Sequence, residues 1–369
     1  MFRFSKKMVA LATAISLGVG VPAAPAAEAF SIGDAIGIGV AGAQIAAARK
    51  QAMAQADKEI KYYNETEEGR YALLEKFKEQ YGVETDYELN QRMDNMMASL
   101  TEAVAKVDPS IREKPYIYFV NSQESFNAFC AMGHVMSVNA GAFRFVANDD
   151  ELAAVVGHEM THGQKNHTAS SVRRNINHAV NAAAAGAVLG GIVGSLTSNI
   201  ALVHANAHNS KKDEKEADEG AFIYITHSNY NPGACAAIWQ RMLEKYGNND
   251  QHGVDLLLGP SDHPNHGARR DKYEKSLYEY SGKHVHVKDG KVTVNGKDFA
   301  QVAPDAGMSG AERAYFVQGN LAAAYKNGHN KSEAYVQNGT VMLGAQPIIK
   351  PVKGDESADV LAQRLNSIK

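Results

Sequence analysis

His158-Glu159-Met160-Thr161-His162 constrains this chain more than any other stretch. It lies within residues 151–167, ELAAVVGHEMTHGQKNH, where Leu152, Val155 and Val156 form an apolar face. Asp149 or Asp150 stands where an N-cap belongs, so the stretch reads as a helix. Residues four apart share a helical face, which lets both imidazoles hold one metal ion. Glu159 falls beside them, placed to take a proton from a water at that ion. With 14 His in 369 residues, chance seldom yields this pattern, and the apolar lead-in and acidic cap make chance a poorer account still.

Two histidines leave a catalytic metal short of a protein ligand. The extended pattern H-E-x-x-H-x-x-G-x-x-H requires glycine at position 165 and histidine at 168, but Lys165 and Thr168 stand there. His167 is one residue out of register, which suits an outer or surface position. Downstream, Ser210-Lys211-Lys212-Asp213-Glu214-Lys215-Glu216-Ala217-Asp218 places Glu214 and Asp218 four apart, on a second helix running to about His227. One carboxylate can bind the metal while the other fixes a ligand histidine through its second ring nitrogen. Standing alone, the stretch would read as a solvated charge run; after H-E-x-x-H it reads as the missing half of a metal site.

HEMTH followed by the run Glu214 to Asp218 resembles family forty-eight of the zinc metallopeptidases, the group of HtpX-, BepA- and CAAX prenyl protease-like enzymes. Asn127-Ala128-Phe129 before Gly133 and Val135 resembles that family's edge strand, and residues 148–155 resemble its lead-in to the metal helix. Ser261-Asp262-His263-Pro264, with Arg269 six residues after the histidine, resembles its S-x-H-P…R element. The likeness spans roughly residues 85–280. It implies one zinc ion per chain on His158, His162 and Glu214, with Glu159 as base and Asp218 behind a ligand histidine. It also implies that Asn127, Ala128, Phe129 and Arg269 contact substrate. Cys130-Ala131-Met132 replaces the family's more usual Ala-Leu-Pro type run, and Lys211 stands where Arg is usual; both departures bear on the substrate groove. Two prolines stiffen the loop around His263. By resemblance, His263 folds over the zinc, either as a latch in the open position or as an oxyanion donor; the plainer alternative is a surface histidine.

The N-terminal 29 residues read as a targeting segment. Arg3, Lys6 and Lys7 precede an apolar core, and Ala27-Glu28-Ala29 makes a small-x-small site, so cleavage is expected after Ala29 and the destination is the bacterial periplasm. The core is too short and glycine-interrupted for a stable transmembrane anchor. A net charge of −3 gives no footing for nucleic acid. Between the two metal helices, residues 175–210 contain no Lys, Arg, Asp or Glu. Their glycines and polar residues make a poor membrane span, and suit a packed helix or a flap over the site. The two cysteines, Cys130 and Cys235, read as separate buried thiols, although an oxidising compartment permits a disulfide.

Ahead of the metal helix, Leu89, Met93, Met96, Met97, Leu100 and Val104 recur at helical spacing over residues 86–107, and the stripe reads as core packing. Strands are expected over residues 116–121, 125–131 and 134–138, with residues 126–131 as an edge for an extended peptide. Helical, charged sequence covers residues 44–81. Beyond Gly282, Val285, Val287, Val292 and Val294 alternate around Asp289-Gly290, a hairpin signal, and Ser309 with Glu312 forms a capping box. No 34-residue helical repeat is present.

The resulting expectation is an α+β chain, mostly α. A signal peptide (1–29) precedes an N-terminal helical segment (30–84), a zincin-like metallopeptidase domain with a small mixed sheet (85–281), and a small α+β appendage (282–369). Its function would be zinc-dependent endopeptidase activity on polypeptides, chiefly misfolded or misassembled envelope proteins, with envelope assembly machinery as partner. The alternative is a chaperone-like periplasmic binding protein whose protease activity is latent or silenced.

Overall fold

The computed structural model describes residues 32–186, 210–248 and 265–369. The targeting segment, most of the charge-free stretch and the loop carrying His263 therefore lie outside the described residues. Contacts divide the chain into residues 1–48 and residues 49–369, with helix α1 (Ile32–Glu65) running into the second unit. The helical run expected over residues 44–81 is broken at Thr66, which adopts extended backbone and caps α2 (Glu67–Tyr81) by accepting from Gly69 N. Asp86 caps α3 (Tyr87–Ala105) in the same way. The whole methionine stripe of α3 is buried in the core.

A three-stranded sheet follows, in the order β1 (Ile117–Asn121), β3 (Val135–Asn139), β2 (Ala128–Ala131). β1 runs parallel to β3 and β2 antiparallel to it, so the sheet is mixed and β2 forms an edge. Alternation sends Phe119, Phe129 and Val135 toward Leu73, Leu74 and Phe77 of α2, while Val120, Cys130 and Met136 face the main core.

After the short helix α4 (Ala140–Phe145), the metal helix α5 occupies Asp149–Gln164. Its cap is Asn148, whose side chain accepts from Glu151 N at 3.1 Å. Asp149 and Asp150, expected at the cap, instead fill the first turn, where carboxylates meet the positive end of the helix dipole. The helix also ends earlier than residue 167. Asn166 takes a left-handed backbone (φ 51°), and the chain restarts as α6 (His167–Gly186).

α7 (Lys211–Thr226), opened by a reciprocal cap between Ser210 and Asp213, lies along α5. A Cβ at Gly220 would stand 2.4 Å from Thr161 Oγ1, so the close approach of these helices needs glycine there. α8 (Ala234–Tyr246) and α9 (His266–Tyr280) complete the layer. Arg241 of α8 donates to Glu151 Oε2 at 3.1 Å and to Glu312 Oε2 at 3.2 Å, tying the metal helix to the C-terminal region through three buried side chains. Both cysteines are buried and free. No helix among the described residues is long and apolar enough to cross a membrane.

The C-terminal region is built twice. A meander β4 (Val285–Lys288), β5 (Lys291–Val294), β6 (Lys297–Gln301) precedes α10 (Gly310–Lys326). A second meander β7 (Ala334–Gln337), β8 (Thr340–Leu343), β9 (Gln346–Ile349) precedes α11 (Ala358–Ile368). The pairs Val285↔Val294 and Val292↔Ala300 recur as Ala334↔Leu343 and Val341↔Ile349, each 49 positions on (285 to 334). The bulge between Val292 and Thr293 recurs between Val341 and Met342. Both first turns place an Asx-Gly pair at positive φ, Asp289-Gly290 and Asn338-Gly339, the geometry a two-residue hairpin loop requires. Each helix packs on the first two strands of its own unit and on the last strand of the other: α10 on β4, β5 and β9, with a lighter contact on β6, and α11 on β7, β8 and β6.

Candidate metal centre

The close packing of α5 on α7 brings their two i, i+4 pairs together. His158 Nε2 and His162 Nε2 lie 3.1 Å apart. Glu214 Oε2 is 3.4 Å from His158 Nε2, and Glu214 Oε1 is 3.5 Å from His162 Nε2. All three residues are buried, and their candidate ligand atoms fall within 4.8 Å of one another. Ligand bonds of about 2.0–2.1 Å in a tetrahedron separate donor atoms by roughly 3.3 Å. The donor set, two imidazoles and a carboxylate with that spacing, fits a zinc ion.

The outer ring nitrogens are also engaged. His158 Nδ1 stands 3.2 Å from Asp218 Oδ1, which in turn accepts from the Arg269 guanidinium and from Tyr273 Oη at 3.1 Å. His162 Nδ1 meets His167 Nδ1 at 3.0 Å, and His167 Nε2 meets Glu216 Oε2 at 3.1 Å. One proton arrangement satisfies this second chain. His162 donates from Nδ1, and His167 accepts there while donating from Nε2 to Glu216. Both ligand histidines then present the Nε2 lone pair to the same point.

Electrostatics follow from burial. The Glu159 carboxyl is pushed up to about 7, chiefly by burial and further by the Glu214 charge, against the pull of His158. His162 falls to about 3, through burial and then the neighbouring His158. His158 rises to about 9: burial opposes its charged form, but the hydrogen bonds with Asp218 and Glu214 outweigh that. Asp218 is also buried, yet Arg269 and His158 hold it well below the usual carboxylate range. These shifts describe a pocket where two histidines cannot both carry a proton and a carboxylic acid titrates near neutrality.

The cleft wall opposite α5 is the edge strand. Cys130 N donates to Glu159 Oε2 at 3.1 Å, and Cys130 O accepts from Thr168 Oγ1 at 2.8 Å. Both main-chain groups of Cys130 thus point away from β3. By strand alternation those of Ala128 do too, whereas Asn127 O faces the sheet and accepts from Asn139 N. Asn127 and Ala128 line a cavity with His158, Glu159 and Arg269. Phe129, one residue on, turns its ring to the other face, against Phe77 and Tyr81. Arg269 is buried with its guanidinium 3.6 Å from the Trp239 ring centroid.

His158, Glu159, His162, Glu214, Asp218, Asn127, Ala128 and Arg269 are therefore gathered in one place, and His263 lies outside the described residues. His167 takes the outer position expected as one alternative, whereas its bond to Glu216 and the roles of Thr168 and Trp239 had no signal in the sequence. The i, i+2 spacing of Glu214 and Glu216 put the latter off the ligand face, and only the break at Asn166 turns His167 back toward His162.

Residues 89–277 match the family described as Peptidase family M48. A Vibrio cholerae protein named as a beta-barrel assembly-enhancing protease is 23% identical over 173 residues, covering 44% of this chain and 35% of that protein. The mitochondrial metalloendopeptidase OMA1 of Saccharomyces cerevisiae is 26% identical over 196 residues, covering 51% of this chain and 56% of the relative. The matches thus take in only about a third and just over half of these relatives' lengths.

Proposed function

The chain belongs to peptidase family M48, and on that premise we propose that it is a zinc-dependent endopeptidase of the bacterial cell envelope. The observation that carries the reading is the convergence of His158, His162 and Glu214 beside Glu159 in one buried cleft. A zinc ion on those three residues would polarise the scissile carbonyl and acidify a water. Glu159, buried beside the two histidines, would accept the proton of the attacking water and return it to the leaving amine. Asp218 and His167 hold the two ligand rings in orientation. The outward main-chain groups of Ala128 pair with an extended peptide, and the ladder stops at Cys130, whose own groups are taken by Glu159 and Thr168.

Envelope placement rests on the targeting pattern of residues 1–29, and a role in envelope-protein assembly or quality control on the name of the Vibrio relative. Unfolded casein incubated with the zinc-loaded chain tests the enzyme reading. Cleavage that a chelator stops and zinc restores supports it; the absence of chelator-sensitive cleavage overturns it.

A further inference from the structure

The cavity beside Glu159 is apolar where it leaves the metal site. Ala154 and Val155 of α5, Cys235, Ile238 and Trp239 of α8, and Tyr273 of α9 form its wall. These side chains are buried or partly buried, so the pocket is part of the packed core and keeps its shape. The space that a water's centre can reach is about 40 Å³. One water needs about 10–15 Å³ on that measure, so the pocket takes roughly three or four heavy atoms.

The polar groups at its rim are mostly committed elsewhere. Tyr273 Oη donates to Asp218, the Arg269 guanidinium donates to Asp218, and Glu159 accepts from Cys130 N. The buried Arg269 charge opposes entry of Lys or Arg, and Glu159 opposes Asp or Glu. Arg269 Nε is buried and has no acceptor among the described residues. A ligand that brings an aliphatic group together with a carbonyl oxygen satisfies both halves of the pocket.

We propose that this cavity is the specificity pocket of the enzyme, receiving a Val-, Ile- or Leu-sized aliphatic side chain from the substrate residue immediately flanking the scissile bond. The assignment rests on the endopeptidase reading above. Ala128 and Glu159 both line the cavity, so a peptide paired along the edge strand delivers a side chain here as its carbonyl reaches the site. Trp239 and Tyr273 set the depth, and Val155, partly buried on the metal helix, sets the width.

The test is an unbiased peptide library digested by the zinc-loaded chain, with every cleavage end sequenced. Val, Ile or Leu should be enriched ~10-fold or more over Asp, Glu, Lys, Arg and Trp at one of the two positions flanking the cut. Val155→Ala should move the preference toward Met and Phe, and Val155→Leu toward Ala and Gly, each by ~10-fold in relative kcat/KM. Thermal melts confirm that each variant is folded; if either is not, the wild-type library alone decides. Chelator-sensitive cutting with no flanking preference, or a preference unmoved in folded variants, overturns the pocket while the endopeptidase reading stands. No chelator-sensitive cutting of any peptide overturns both.

Discussion

Cys130 N and Glu159 Oε2 lie 3.1 Å apart, joined by a buried hydrogen bond between the edge strand and the carboxylate proposed as base. Anything that shifts the strand therefore shifts the base. Glu159→Gln keeps an oxygen able to accept that bond but removes the proton acceptor. Cleavage of casein should fall by ~10²–10⁴-fold with bound zinc and melting temperature unchanged. Turnover within tenfold of wild type would assign the base elsewhere.

His167 fixes the ring of His162 while itself bonding to Glu216. Replacing it with Ala should weaken zinc binding by ~10–100-fold, measured by competition with a chromophoric chelator. Glu216→Gln preserves an acceptor for His167 Nε2, so it should lose much less than Glu216→Ala. Equal losses in the two Glu216 variants would show that His167 needs no such partner.

Arg269 and Asp218 are both almost wholly buried and directly bonded. Arg269→Met strands a buried carboxylate and should destabilise the chain by about 3–5 kcal/mol in denaturant titrations. Adding Asp218→Asn removes that stranded charge and should recover part of the loss. A double variant no more stable than Arg269→Met would rule out an unpaired charge as the cause.

The cluster of Glu151, Arg241 and Glu312 carries two carboxylates on one guanidinium. Burial pushes Glu312 up to about 7 from an ordinary 4.5, with Glu151 and Glu244 adding to the rise and Ser309 N and Arg241 opposing it. Between those values the folded chain holds a proton that the unfolded chain has lost. Stability from this site is therefore greatest below about 4.5 and falls as pH rises toward 7. Across pH 5 to 8, wild type should lose melting temperature relative to Glu312→Gln. A constant difference would remove Glu312 from the titration.

The H-E-x-x-H run and the later carboxylate pair were legible because four-residue spacing fixes a helical face whatever the tertiary context. Alternation likewise separates Ala128 from Phe129, yet three consecutive edge-strand positions were expected to meet substrate together. The cap at Asn148 was missed because three acceptor-bearing residues stand in a row, and only the backbone decides which adopts extended angles. Whether His167 stands behind the site or at the surface depended on the turn at Asn166, whose left-handed geometry the sequence leaves open among several polar residues. The duplicated C-terminal region escaped a search for helical repeats because its period is carried by valines and Asx-Gly turns.

That duplication settles how the C-terminal region can be cut. Because α10 covers β9 and α11 covers β6, each half supplies a roof for the other's outermost strand. Neither half is closed alone: a chain stopped after α10 would take away most of the cover of β6 and leave α10 facing a strand that no longer exists. The two halves are interlocked like a dimer joined head to tail in one polypeptide. They should melt together, and because α10 packs on α8 and α9 while Glu312 bonds to Arg241, the pair should melt with the helices that carry the site as well.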